Sequence, residues 1–185
     1  MSQFISVFDM FKIGVGPSSS HTLGPWKAAQ KWIFSLKELS VFKEIDGIRI
    51  DLFGSLARTG KGHATDYAIL LGLSGADPEY IPVSNIEKIT NKIKSTNKLN
   101  FNNEREINFS VENIVFNQEF LPFHANGIKF IGFCKGKEIA MATYYSIGGG
   151  FVVQENNHLE EEIEITKNNF PYPINRAFQL EEYCE

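Results

Sequence analysis

Apolar residues recur at helical spacing from Trp26 through Ala29 and Ile33 to Leu36, directly after a Gly24-Pro25 pair whose proline suits a first helical turn. The spacing predicts a helix over about 23–38. Ile48, Ile50 and Leu52 then alternate with Arg49 and Asp51 ahead of Gly54, the period-two signature of a half-buried strand. That strand delivers the chain into a loop over 54–62. From His63 the sequence turns apolar: Ala64, Tyr67, Ala68, Ile69, Leu70 and Leu71 form a run too rich in alanine and leucine for a strand, so a buried helix ended by Gly72 or Gly75 is expected. Ser84-Asn85-Ile86-Glu87 has the form of a capping box, and Ile86, Ile89 and Ile93 make one stripe opposite Lys88, Lys92 and Lys94. A surface helix is expected there.

The second half changes period. Strand-like stretches at 107–109, 114–116, 128–134, 138–146 and 151–153 are separated by Asn-Gly, Lys-Gly-Lys and Gly-Gly-Gly signals, with Gly136 placed for a hairpin turn. The fold class that follows is α/β in the loose sense (α+β), helices packed on a mostly antiparallel sheet drawn from both halves. Residues 1–153 form the domain proper. Residues 154–185 begin with a polar, acidic stretch, after which Pro171 and Pro173 precede Ala177, Leu180 and Tyr183 in what reads as the start of another helix, so the chain is expected to stop inside an element.

Composition narrows the function classes. With 43% hydrophobic and 22% charged residues in 185, the chain has the apolar material for a packed core. Its 18 basic residues against 22 acidic ones leave a net charge of -4, so it carries no broad positive field for nucleic acid or an anionic membrane. There is no run of about 18 apolar residues, and Asp9 and Lys12 interrupt the first apolar stretch, which makes the cytoplasm the simplest compartment. The two cysteines, Cys134 and Cys184, are too few for a disulfide framework and are expected to be reduced. An iron–sulfur cluster takes three or four thiolates, so any cluster must sit on other polypeptide.

Candidate chemistry concentrates in two glycine-flanked segments. Gly16-Pro17-Ser18-Ser19-Ser20-His21-Thr22 runs into the first helix and directs hydroxyls and free backbone N–H groups at one spot suited to a carboxylate. The plainer alternative is that a serine or Thr22 caps the helix and His21 is an exposed loop residue. Gly54-Ser55-Leu56-Ala57-Arg58-Thr59-Gly60-Lys61-Gly62-His63 follows a strand as a phosphate loop would. Five residues rather than four separate Gly54 from Gly60-Lys61, however, and Gly62 stands where a magnesium-binding hydroxyl belongs, so nucleotide binding is not expected. At the N-terminal end of a buried helix, the dipole disfavours the imidazolium of His63 and suits it to act as a neutral base. A histidine that merely hydrogen-bonds within the fold is the alternative. Asp66 either holds a ring nitrogen or offsets the helix dipole. His124, in Pro122-Phe123-His124-Ala125-Asn126-Gly127, belongs to a turn and is either structural or a cleft residue. Gly148-Gly149-Gly150 marks a bulge or a close approach of backbone or ligand, and His158 reads as solvated surface.

Four ordered segments carry a resemblance. They are Phe8-Asp9-Met10-Phe11-Lys12-Ile13-Gly14-Val15-Gly16-Pro17-Ser18-Ser19-Ser20-His21-Thr22; Gly54-Ser55-Leu56 with Thr59-Gly60-Lys61-Gly62-His63; Leu121-Pro122-Phe123-His124 with Asn126-Gly127; and Tyr144-Tyr145-Ser146-Ile147-Gly148-Gly149-Gly150-Phe151. In order and spacing they resemble the beta domain of the bacterial iron–sulfur L-serine dehydratases, from about residue 5 to the C-terminus. The resemblance implies a domain like the allosteric substrate-binding domains and a part in L-serine catabolism, converting L-serine to pyruvate and ammonia. It further implies a [4Fe-4S] cluster held by a separate alpha domain or subunit, with an open iron as Lewis acid on the leaving hydroxyl, and a homo-oligomeric assembly.

By the same resemblance His63 is the general base that removes the α-proton. His21 joins it in the catalytic pair, binding the substrate's carboxylate and amino group together with the hydroxyls of Ser18, Ser19, Ser20 and Thr22. Lys61 and Asn126 are further substrate contacts. The family often carries Gly-His-Gly-Thr-Asp where this chain has Gly62-His63-Ala64-Thr65-Asp66, a change expected to have little effect on chemistry. Without the cysteine-bearing domain the chain is expected to be inactive alone. A regulatory domain that binds L-serine or a related small anion without chemistry is the second reading, and a scaffold with no ligand the third; His63 separates the first two.

Overall fold

In the computed structural model, residues 16–155 and 176–184 are described. The readings placed on 8–15, on the polar stretch from 156, on His158 and on Pro171 and Pro173 lie outside the described residues. Helix α1 spans Leu23–Glu38, as its apolar spacing predicts, and buries Trp26, Ala29, Trp32, Ile33 and Leu36 on one face. Strand β1, Gly47–Phe53, buries Ile48, Ile50 and Leu52 on its inner face. On its outer face the Arg49 Nε donates to Asp51 Oδ1 at 2.9 Å, which satisfies a nearly buried carboxylate.

The segment after β1 is the first departure from expectation. Instead of an open loop it forms a short helix α2, Ser55–Thr59, followed by a 3-10 turn, Gly60–His63. The buried helix expected from His63 begins two residues later, as α3, Thr65–Leu73. Ala64 separates the two in a left-handed conformation, φ 57° and ψ 35°, which interrupts the helical path. Helix α4, Val83–Thr96, carries the expected stripe of Ile86, Ile89 and Ile93. The capping box does not form: Pro82 occupies the N-cap position and the start of α4 makes no side-chain cap. Ser84 therefore lies inside the first turn, where its hydroxyl cannot serve as the cap.

Strands β2, Lys98–Phe101, and β3, Arg105–Asn108, pair as an antiparallel ribbon. Strands β4, Ile114–Asn117, β5, Gly127–Cys134, β6, Lys137–Gly148, and β7, Phe151–Gln154, complete the main sheet in the order β4-β1-β5-β6-β7. Only the β1–β4 pair is parallel; the other three pairs are antiparallel. The architecture is thus the expected α+β arrangement, helices packed on a mostly antiparallel sheet. Lys135 and Gly136, both at positive φ, turn β5 into β6 where the sequence signals a hairpin. The β6–β7 connection passes through Gly148, Gly149 and Gly150 beside a register shift, so the bulge forms.

Helix α1 lies across β5, β6 and β7, with α3 packed on α1 and α4 on α3. Trp32 stacks on Phe130 of β5 at 5.1 Å, and Tyr144 of β6 meets the same ring edge-on at 5.9 Å, which fixes α1 over the middle of the sheet. A smaller cluster of Trp26, Ala68, Leu71 and Ile86 joins α1, α3 and α4. A final helix α5, Ala177–Cys184, follows where Ala177, Leu180 and Tyr183 predict one. Among the described residues no helix is long and apolar enough to cross a membrane.

Candidate functional site

Two loops meet at the end of β1 because each is pinned to the scaffold. Beyond Phe53 the chain turns at Gly54, φ 57° and ψ -121°, a region effectively reserved for glycine. A Cβ there would run into the Ala125 carbonyl. The Gly54 N–H donates to Glu119 O at 2.7 Å and the Ser55 N–H to Ala125 O at 2.8 Å, so the loop before β5 fixes the start of α2. The serine loop folds on the Ser18 carbonyl, which accepts from His21 N, Thr22 N and Thr22 Oγ1 at 3.1, 2.9 and 2.7 Å. Two further hydroxyls anchor it from outside: Ser146 Oγ of β6 donates to Ser20 O at 2.8 Å, and Thr65 Oγ1 of α3 donates to His21 O at 2.7 Å.

His21 and His63 are thereby brought face to face, ring centroids 4.9 Å apart and planes tilted by 38°. Both are half-buried. The His21 ring is enclosed by hydroxyls: Ser20 Oγ at 3.1 Å and Ser18 Oγ at 3.4 Å from Nδ1, Thr59 Oγ1 at 3.0 Å and Ser55 Oγ at 3.2 Å from Nε2. Burial lowers its pKa from the usual histidine value, the neighbouring His63 lowers it further, and the Ser55 backbone carbonyl acts in the opposite sense. His63 Nδ1 lies 2.9 Å from the Thr59 carbonyl, which can only accept, so Nδ1 carries the proton.

The other predicted residues fall into three sets. Ser18 and Ser20 reach the His21 ring, and their hydroxyls lie 3.1 Å apart. Ser19 is exposed, and its carbonyl accepts the Gly24 N–H at 2.8 Å. Thr22 is buried with its hydroxyl given to Ser18 O; it stands at the N-cap position of α1 but makes no side-chain cap, and none of the serines does. Lys61 is exposed and turns its ammonium over the Phe116 ring, 5.0 Å from the centroid. Asn126 is buried, donating from Nδ2 to Ser146 O at 3.1 Å, with its own carbonyl accepting the Ser146 N–H at 3.0 Å. It thus joins the serine loop through Ser146. Its Oδ1 is buried without a partner. His124 Nδ1 accepts the Asn126 N–H at 3.1 Å, which orders the turn before β5. Asp66 sits in the first turn of α3, while the ring nitrogen of His63 goes to Thr59.

Sequence reasoning missed Ser55, Thr59, Thr65 and Ser146, the four hydroxyl residues that hold the histidine loop. Ser55 and Thr59 are four residues apart, one face of a helix, a signal hidden by reading 54–62 as a loop.

For a [4Fe-4S] group the donor set does not fit. The chain has two cysteines, Cys134 and Cys184, against the three or four thiolates such a cluster takes. Among the described residues no group of three His, Cys, Asp or Glu is placed to hold a metal ion. What the two loops do offer is a pair of imidazoles, one of them ringed by serine and threonine hydroxyls, groups able to hydrogen-bond a small polar molecule and to move one proton. Fold and site together define an α+β domain that presents a histidine pair among serine and threonine hydroxyls at the end of β1.

Residues 6–157 match the family model described as serine dehydratase beta chain, and the chain belongs to that family. It is 40% identical over 183 residues to an L-serine dehydratase of Haemophilus influenzae, covering 97% of this chain and 40% of that protein. It is 37% identical over 186 residues to L-serine dehydratase 2 of Escherichia coli, covering 98% and 40%. An L-serine dehydratase of Streptomyces coelicolor is 37% identical over 179 residues, covering 95% and 39%. The chain spans about 40% of the length of these curated relatives.

Proposed function

We propose that this chain is the beta domain or subunit of an iron–sulfur L-serine dehydratase, supplying the general base and the substrate-binding loop for conversion of L-serine to pyruvate and ammonia. The observation that carries the reading is the His21–His63 pair, with the proton of His63 tied on Nδ1 to a carbonyl and Nε2 left as the basic atom. Elimination of water from L-serine breaks the Cα–H and Cβ–O bonds; the enamine that forms tautomerises and hydrolyses to pyruvate and ammonia. His63 takes the α-proton on Nε2. His21, held by four hydroxyls, binds and orients the substrate's carboxylate and amino group with Ser18, Ser19 and Ser20, while Thr22 shapes the loop they stand on. Lys61, released from Phe116, is an additional contact for the substrate's carboxylate, and Asn126, through its unpartnered acceptor Oδ1, for the substrate's amino group.

A companion alpha domain or subunit carries the [4Fe-4S] group, which supplies Lewis acidity at the leaving hydroxyl. Residues 1–153 form the domain and 154–185 the polar connection toward that companion. The assembly works in the cytoplasm as a homo-oligomer, and this chain alone is inactive.

The test is to express the chain with and without the cysteine-bearing companion region of a relative under anaerobic conditions and to measure pyruvate from L-serine. Turnover should require both parts and should collapse for His63→Ala with assembly intact. Pyruvate formation by this chain alone would end the shared-site reading. Unchanged turnover in His63→Ala would favour a regulatory serine-binding domain.

A further inference from the structure

The two histidines share one neighbour that touches both. Thr59 presents its carbonyl to His63 Nδ1 at 2.9 Å and its hydroxyl to His21 Nε2 at 3.0 Å. The same hydroxyl lies 3.0 Å from the Ser55 carbonyl. A threonine hydroxyl has one proton, and the Ser55 carbonyl can only accept it, which leaves the Thr59 oxygen to receive a proton from His21 Nε2. The Ser55 carbonyl also opposes the lowering of the His21 pKa, as an acceptor facing a ring N–H does. On the far side of the ring the Ser20 hydroxyl then donates to Nδ1.

We propose that Thr59 is the positioning residue for both imidazoles, its carbonyl fixing the proton of His63 on Nδ1 and its hydroxyl receiving the Nε2–H of His21. This deepens the reading of His63 as the base and rests on it for its catalytic meaning. Helix α2 is what makes the double contact possible, because four residues bring Ser55 and Thr59 onto one face while the carbonyl of Thr59 points on along the chain to His63. His63 is held in the tautomer that frees its Nε2. His21 is held in the opposite one, with both nitrogens occupied, so only one of two adjacent imidazoles offers a lone pair to a substrate. His21 then acts on the substrate by ordering the hydroxyls bonded to it, and His63 is the ring that takes the proton.

The tautomers are read directly from long-range 1H–15N correlation spectra of the 15N-labelled 185-residue chain at a pH where both rings are neutral, assigned with His21→Asn and His63→Asn. The wild-type chain should show His63 protonated on Nδ1 and His21 on Nε2, the latter with a slowly exchanging ring proton. Thr59→Val should keep the His63 pattern, since the carbonyl remains, but lose the slowly exchanging His21 proton; Thr59→Ser should restore it. In the enzyme assembled with its companion region, Thr59→Val should lower kcat by roughly 3- to 10-fold, the range for one lost hydrogen bond, with Thr59→Ser close to wild type. A His63 ring protonated on Nε2 in the wild-type chain overturns the proposal with no variant needed. A Thr59→Val chain with the His21 proton and the turnover unchanged overturns it as well. These outcomes are separable from the identity of the base, which His63→Ala tests by turnover alone.

Discussion

The imidazoles of His21 and His63 stand 4.9 Å apart, close enough that a charge on one opposes a charge on the other. Burial first, and then the proximity of His63, lower the His21 pKa. A histidine whose pKa is lower folded than unfolded binds fewer protons in the native state. Its contribution to stability is therefore whole above the unfolded value of about 6.5 and is lost as pH falls below it. The melting temperature of the chain should drop between pH 7.5 and 5.5, and His21→Asn should drop less over the same range. Replacing His63 by alanine should raise the titration midpoint of His21 in an NMR titration. A His21 midpoint unmoved by that replacement would show that burial alone sets the shift.

Ala64 lies between His63 and α3 at φ 57°, where a Cβ is strained. A glycine, the residue that the sequence resemblance leads one to expect here, would hold this conformation without strain. The methyl group, expected from sequence to have little effect on chemistry, costs conformational energy in the fold. Ala64→Gly should stabilise the chain by about 0.5–1 kcal/mol, the relieved strain less the extra freedom glycine gives the unfolded chain. Urea unfolding with an unchanged slope would measure it, and a destabilised variant would show that the left-handed turn carries no strain.

Long, regular patterns were legible in the sequence: the α1 spacing, the β1 alternation and the Lys135-Gly136 hairpin all form where their residues predict. What escaped was short or tertiary. Helix α2 has five residues, too few to display a period, and the partners of Ser55 and Thr59 lie on a loop more than thirty positions away, as the His21 contacts show. Strand β2, Lys98–Phe101, alternates polar and apolar over only four residues and follows directly on the helix that Asn97 ends, too short a pattern to stand apart from a helix tail. The apparent capping box failed because Pro82, already fixed at φ -61°, starts the helix before Ser84 can. His21, His63 and the serine hydroxyls beside His21 were legible as candidates; that the two rings meet, and that Ser55, Thr59, Thr65 and Ser146 hold them, was not, because those residues come from α2, α3 and β6.

Adjacent positions on β5 and β6 should respond oppositely to truncation. Phe130 is fully buried between Trp32 and Tyr144, and a cavity there cannot collapse without moving α1. Phe130→Ala should cost about 3–5 kcal/mol in chemical unfolding. Met141, paired in register with Ile131 on the opposite face, is 58% exposed, so Met141→Ala should stay within about 0.5 kcal/mol of wild type. Equal costs would mean that both faces of the sheet are covered.

Gly24 couples the first helix to the serine loop through Ser146. A Cβ at this position would overlap the Ser146 hydroxyl, the group that donates to Ser20 O. Gly24→Ala should push that hydroxyl away, cost about 1–3 kcal/mol through overpacking, and raise the KM for L-serine in the assembled enzyme because Ser20 loses its anchor. Ser146→Ala alone should cost about 0.5–1.5 kcal/mol for the lost hydrogen bond. In the Gly24→Ala background that same hydroxyl is a source of collision, so its removal should cost less or restore part of the stability, giving a favourable coupling in a double-mutant cycle. Strictly additive effects would show that the two residues do not meet, and the close approach of α1 to β6 would then not be what holds the serine loop against His21.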